Sequence, residues 1–135
     1  HSAAIASKLA AELFGLEILA PNIHTLKNNV TRFLVLQKEN DVEPVPDADK
    51  ASVYFQTDHS KGSLARVLTH IASAGINLSK LQSMPIPGSD FKYGFYADME
   101  FEGMQQLNEV LKAMQPLTNL VKTFGIYKQG KLVKG

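Results

Sequence analysis

The sequence of 135 residues contains no cysteine and no tryptophan. Without cysteine there is no disulfide framework, no thiolate metal centre and no thiol nucleophile. An excess of one charge is missing as well: 14 Lys and Arg face 13 Asp and Glu, a formal net charge of +1. That balance gives no electrostatic footprint for nucleic acid or for an anionic membrane. No apolar run approaches the ~20 residues of a membrane helix. Lys8 and Glu12 interrupt the first apolar stretch, so HSAAIASKLAAEL does not read as a signal peptide and a cytoplasmic location is expected. The four histidines, His1, His24, His59 and His70, are scattered and form no ligand-like pair, so no metal site is expected. Phosphate loops and dinucleotide fingerprints are absent, and no serine or threonine has a histidine placed for a hydrolase triad.

What remains is a chain with 44% hydrophobic residues, enough for a packed core. It breaks once, at KENDVEPVPDAD (38–49), where charge, Pro44 and Pro46 replace apolar periodicity and predict an exposed, semi-extended linker. Residues 1–37 form a short first piece. Ile5, Leu9 and Leu13 predict a helix over 2–14 that stops at Gly15, and LEIL (16–19) and VTRFLVLQ (30–37) read as short strands. A helix and two strands have too few residues here to cover one another, as at the end of a larger domain. In the second piece, 50–135, SVYFQT reads as a strand, and Leu64, Val67, Leu68, Ile71 and Ala72 form one helical stripe ended by Gly75. INLSKLQSMPI is a second strand, with Pro85 marking an edge or exit. Phe91, Tyr93, Phe95, Ala97, Met99 and Phe101 alternate along a third strand; Met104, Leu107, Leu111 and Met114 make a second helix, stopped by Pro116; LVKTFGIYK closes the chain. The order βαββαβ predicts an α+β, ferredoxin-like domain: an antiparallel sheet with two helices on one face.

Two places can carry chemistry. In KGSLARVL, Gly62 and Ser63 open a helix whose free N–H groups and dipole suit an anionic group, or they simply start and cap it. In NNVTRFLVL, Asn29, Thr31 and Arg32 cluster at the mouth of a strand. Arg32 can clamp a carboxylate and Thr31 can exchange a proton with a leaving hydroxyl, or the arginine is an ordinary ion-pair partner and the threonine a strand former.

The segments Ala3 to Ser7 (AAIAS), Phe14-Gly15-Leu16 and Asn29-Val30-Thr31-Arg32-Phe33, in this order and spacing, resemble the end of the catalytic domain of prephenate dehydratases. In that family a linker then leads to a regulatory ACT domain of βαββαβ topology. The resemblance implies a three-part chain: a remnant of a two-lobed α/β catalytic domain (1–37), a linker (38–49) and an ACT domain (50–135). It implies conversion of prephenate to phenylpyruvate, water and carbon dioxide in L-phenylalanine biosynthesis, with no cofactor. Asn29, Thr31 and Arg32 then belong to the catalytic site, Thr31 near the departing ring hydroxyl and Arg32 near a substrate carboxylate. It further implies that L-phenylalanine is a feedback effector held where two ACT domains pair in a homodimer. Two motifs line that site. Glycine-alanine-leucine stands here as Gly62-Ser63-Leu64, and glutamate-serine-arginine-proline as Gln82-Ser83-Met84-Pro85, with two charges gone; Asn77 and Leu78, at the head of the same strand, complete the set. Because most of the catalytic domain is missing, this chain alone is expected to be inactive.

Two other readings compete. A stand-alone amino-acid sensor would use the first piece as a docking arm. An RNA-binding domain shares the topology, but in FKYGFYADMEF alignment on Gly94 puts Tyr93 where a basic residue is expected and Ala97 where a stacking aromatic should be.

Overall fold

The computed structural model describes residues 2–25, 31–38, 41, 43–58, 60–89 and 92–131. The chain divides into two compact units, 1–38 and 39–135.

In the first unit the helix is shorter than its apolar spacing predicts. Helix α1 spans Lys8–Phe14. Ser7 is the N-cap, its Oγ accepting from Ala10 N at 3.1 Å, and Gly15 closes the helix in the left-handed conformation. A serine that satisfies an orphan N–H competes with Ser2 as the starting point, and it wins because Ile5 has nothing to pack on: it is 87% exposed. The strands expected at 16–19 and 30–37 are corrected. Described residues of both segments are in no strand, and Phe33, Leu34, Val35 and Leu36 are all exposed. A strand needs a partner for its N–H and C=O groups, and this unit supplies none among the described residues.

The second unit folds as predicted, with strands β1 (Lys50–Gln56), β2 (Asn77–Pro85), β3 (Tyr93–Glu100) and β4 (Leu120–Tyr127), and helices α2 (Ser63–Ser73) and α3 (Met104–Met114). The sheet order is β2-β3-β1-β4, and every neighbouring pair is antiparallel. This is the ferredoxin-like βαββαβ arrangement. Ala51, Val53 and Phe55 on β1 face Met99, Ala97 and Phe95 on β3, and this inner face packs on Val67 and Ile71 of α2 and on Leu107, Val110 and Met114 of α3. The apolar positions expected of β3 are buried from Phe95 to Phe101, and Asp98 between them is buried as well, whereas Tyr93 is about half exposed and Phe91 lies outside the described residues.

The linker expectation needs a correction at its C-terminal end. Ala48 is buried and Val45 packs beside it on the core, while Asp49 N donates to Tyr127 O and Phe101 N donates to Asp49 O. Residues 45–49 therefore belong to the second unit.

The outer face of the sheet is ordered too. At one end Lys50 Nζ donates to Glu100 Oε1 at 3.1 Å and Asn77 Nδ2 to Glu100 Oε2 at 2.8 Å. Beside them Ser52 Oγ meets Asp98 Oδ1 and the Tyr127 hydroxyl, each at 2.8 Å. Toward the other end Tyr54, Tyr96 and Phe124 form a row of rings, with centroids 4.9 and 5.9 Å apart. Tyr54 lies directly over Gly94, where an added Cβ would overlap the phenol, so only glycine fits.

Candidate functional site

At the C-terminal end of β1 the chain turns into α2 through 57–62. Gly62 takes a left-handed conformation (φ 76°) that a side chain rarely adopts, and no side chain caps the helix it starts. Ser63 Oγ instead donates back to the Asp58 carbonyl at 2.9 Å. Asp58 Oδ1 accepts from Ser60 N at 3.2 Å and Ser60 Oγ at 2.7 Å, with the Arg66 guanidinium 3.9 Å away. These bonds make a closed turn whose polar groups border a depression of about 200 Å³, lined by Thr57, Asp58, Ser60, Ser63, Tyr93 and Phe95. The volume is below the ~300 Å³ at which small-molecule pockets begin. Part of any such site must come from elsewhere.

The expected effector residues fall into two groups. Strand register sets Gln56 of β1 opposite Gly94 of β3, and Gly94 opposite Met84 of β2. Gln82, Ser83, Met84 and Pro85 thus lie at the same end of the sheet as Gly62 and Ser63. Gln82 is opposite Tyr96 and Pro85 opposite Tyr93, and all four β2 residues are exposed. Asn77 and Leu78 lie at the other end, opposite Glu100 and Met99. From Asn77 to Met84 the strand advances about 23 Å, at ~3.3 Å per residue. Leu64 and Leu78 are half-buried against the core rather than open to a ligand. One chain therefore does not bring the whole set together.

In the first unit Thr31 and Arg32 are exposed and lie in no helix or strand, and Asn29 lies outside the described residues. No group of three or more His, Asp or Glu able to hold a metal occurs among the described residues. No described helix is long and apolar enough to cross a membrane.

The electrostatic perturbations lie away from the depression. Hydrogen bonds from Asn77, Lys50 and Ser79 hold the Glu100 carboxyl below its ordinary range. Asp49 is lowered by the Gln129 N–H and by Lys128, and Lys128 is raised in turn by Asp49. None of these groups is among the residues that line the depression.

Sequence reasoning did not single out Thr57, Asp58, Ser60, Tyr93 or Phe95. A local signal existed for two of them: D-x-S before a helix is an Asx-turn pattern. Tyr93 and Phe95 reach the depression only through the β1–β3 pairing, which no local pattern carries.

Residues 1–41 match the family model described as Prephenate dehydratase. A bifunctional chorismate mutase/prephenate dehydratase of Aquifex aeolicus is 34% identical over 98% of this chain and 36% of its own length. A prephenate dehydratase of Methanocaldococcus jannaschii is 35% identical over 92% of this chain and 46% of its own length. The solved structure of a prephenate dehydratase from Arthrobacter aurescens, in complex with L-Phe, superposes with a TM-score of 0.56. It is 23% identical and matches 65% of this chain and 29% of that one, which supports the fold. The chain thus spans less than half the length of either curated relative. It belongs to the prephenate dehydratase family, corresponding to a C-terminal part of such proteins.

Proposed function

We propose that the chain is the C-terminal regulatory portion of an enzyme that converts prephenate to phenylpyruvate, water and carbon dioxide, and that its second unit senses L-phenylalanine as an ACT domain. In this reading the first unit is the end of the catalytic domain, with Asn29, Thr31 and Arg32 in its site. The Thr31 hydroxyl serves the departing ring hydroxyl and Arg32 holds a substrate carboxylate. Neither step draws on a cofactor, because aromatisation of the ring drives loss of water and carbon dioxide together.

The observation that carries the regulatory half is the separation of the effector residues to opposite ends of β2. That strand is an unpaired sheet edge, nine residues long and exposed. An edge of this kind is a template for a second strand. A two-fold axis at Leu81 would run β2 antiparallel to its copy and set Asn77 opposite the partner's Pro85. Asn77 and Leu78 of each protomer would then reach the end of the sheet where the other protomer's Gly62, Ser63 and Gln82 to Pro85 lie. The small depression becomes half of a shared site, and a homodimer is part of the proposal. L-Phe in the Arthrobacter aurescens structure supports the choice of ligand.

Calorimetry of the 135-residue chain with L-phenylalanine tests the sensor, with binding expected; no heat at millimolar ligand refutes it. Sedimentation should show a dimer, and a monomer at high concentration counts against the shared site. In the full-length enzyme, Thr31→Ala should abolish conversion of prephenate to phenylpyruvate without changing the melting curve, and near-normal turnover removes Thr31 from the catalytic site.

A further inference from the structure

The groups around the depression have a marked chemical bias. Among its lining residues Asp58 alone has a carboxyl group; around it stand the hydroxyls of Thr57, Ser60 and Ser63 and the rings of Tyr93 and Phe95. A carboxylate beside aromatic faces suits an organic cation, through ion pairing and through attraction of the cation to the rings. Two of the hydroxyls are already committed: Ser60 Oγ donates to Asp58 Oδ1 and Ser63 Oγ to the Asp58 carbonyl. They hold the turn and, through it, the carboxylate. Arg66 approaches Asp58 only to 3.9 Å, and both side chains are at least half exposed. An exposed pair at that distance is weak.

Resting on the effector reading above, we propose that Asp58 is the residue that recognises the α-ammonium group of the amino-acid effector. It sets the specificity of the site for amines over simple carboxylates. The ammonium forms a charge-assisted hydrogen bond with the Asp58 carboxylate, and the effector's apolar side chain extends over Tyr93 and Phe95. This places a specificity-determining charge on the loop between β1 and α2, outside both motif segments.

Three probes test the assignment by calorimetry on the 135-residue chain and its variants: L-phenylalanine, phenethylamine (ammonium without carboxylate) and 3-phenylpropionate (carboxylate without ammonium). Asp58→Asn keeps an oxygen to accept from Ser60, so the turn survives. The variant should bind L-phenylalanine and phenethylamine at least about tenfold more weakly, the worth of a hydrogen bond between charged partners. It should bind 3-phenylpropionate as well as or better than the parent chain, and Asp58→Glu should bind L-phenylalanine more tightly than Asp58→Asn. Unchanged L-phenylalanine affinity in Asp58→Asn overturns the assignment and leaves the effector reading intact. Equal losses for all three probes also overturn it, since that pattern marks a merely structural loop residue. A parent chain that binds none of the probes overturns the effector reading and the Asp58 assignment together.

Discussion

Leu13 and Leu107 are the same residue in the same kind of element, yet one is 72% exposed and the other 0%. Leu13 lies on α1 in the first unit and Leu107 on α3 in the second. Both helices carry apolar residues at helical spacing, so the difference does not come from local pattern. It comes from what the rest of each unit offers. The second unit closes a four-stranded sheet under its two helices. The first leaves Ile5, Leu9, Leu13, Phe14 and Leu16 exposed, with no sheet to cover among its described residues. An amphipathic stripe is a request for a partner, and among the described residues only the second unit contains the reply.

The sharpest break of this contrast is a pair of truncations. Leu107→Ala should cost about 2–5 kcal/mol, transfer and cavity terms together, whereas Leu13→Ala should stay within about 0.5 kcal/mol. Urea melts of the two variants give the comparison directly, and a large loss for Leu13→Ala would mean that α1 is buried in solution.

Gly94→Ala should follow, at about 1–3 kcal/mol, because the methyl overlaps Tyr54 and forces ring or strand to move. Removing the ring should relieve the clash, so Gly94→Ala combined with Tyr54→Ala should be more stable than the sum of the single losses predicts. Additive losses would show that the ring already yields.

The smallest effect concerns acid. Asn77, Lys50 and Ser79 lower the folded pKa of Glu100, and Gln129 and Lys128 lower that of Asp49. A lowered folded value means that stability is fully present above the ordinary carboxylate pKa and is lost as pH falls through the folded one. The second unit should therefore weaken below about pH 4, and Glu100→Gln should flatten that loss, as read by melts at neutral and acid pH. An unchanged acid slope would show that Glu100 is free of its partners in solution.

Most of the second unit was legible because its signals are local and agree with one another. Alternation from Phe95 to Phe101 marks a half-buried strand, Gly62-Ser63 and Pro116 bound the helices, and Pro85 ends an edge strand. The failures have one physical origin, since each depended on a partner distant in sequence. VTRFLVLQ has strand composition, but composition forms no backbone hydrogen bonds without a neighbour. Val45 and Ala48 sit in a charged, proline-rich stretch and still pack on the core, because β4 returns beside them through Tyr127 and Asp49. The candidate site was half legible for the same reason. Its glycine and serine open a helix in plain view, whereas Tyr93 and Phe95 enter by strand register. A register irregularity between β1 and β4, at Ser52 and Val53, likewise leaves Phe124 beside Tyr96, which the spacing of LVKTFGIYK does not reveal.

The ring row has a practical meaning as well. The chain holds no tryptophan and four tyrosines, and all four, Tyr54, Tyr93, Tyr96 and Tyr127, are on strands of the second unit. Its intrinsic ultraviolet emission is therefore a private signal of the sheet, blind to α1 and to the segment with Thr31 and Arg32. An optical melt of this chain watches one unit unfold while the other goes unseen, and a ligand that perturbs Tyr93 announces itself in the same light.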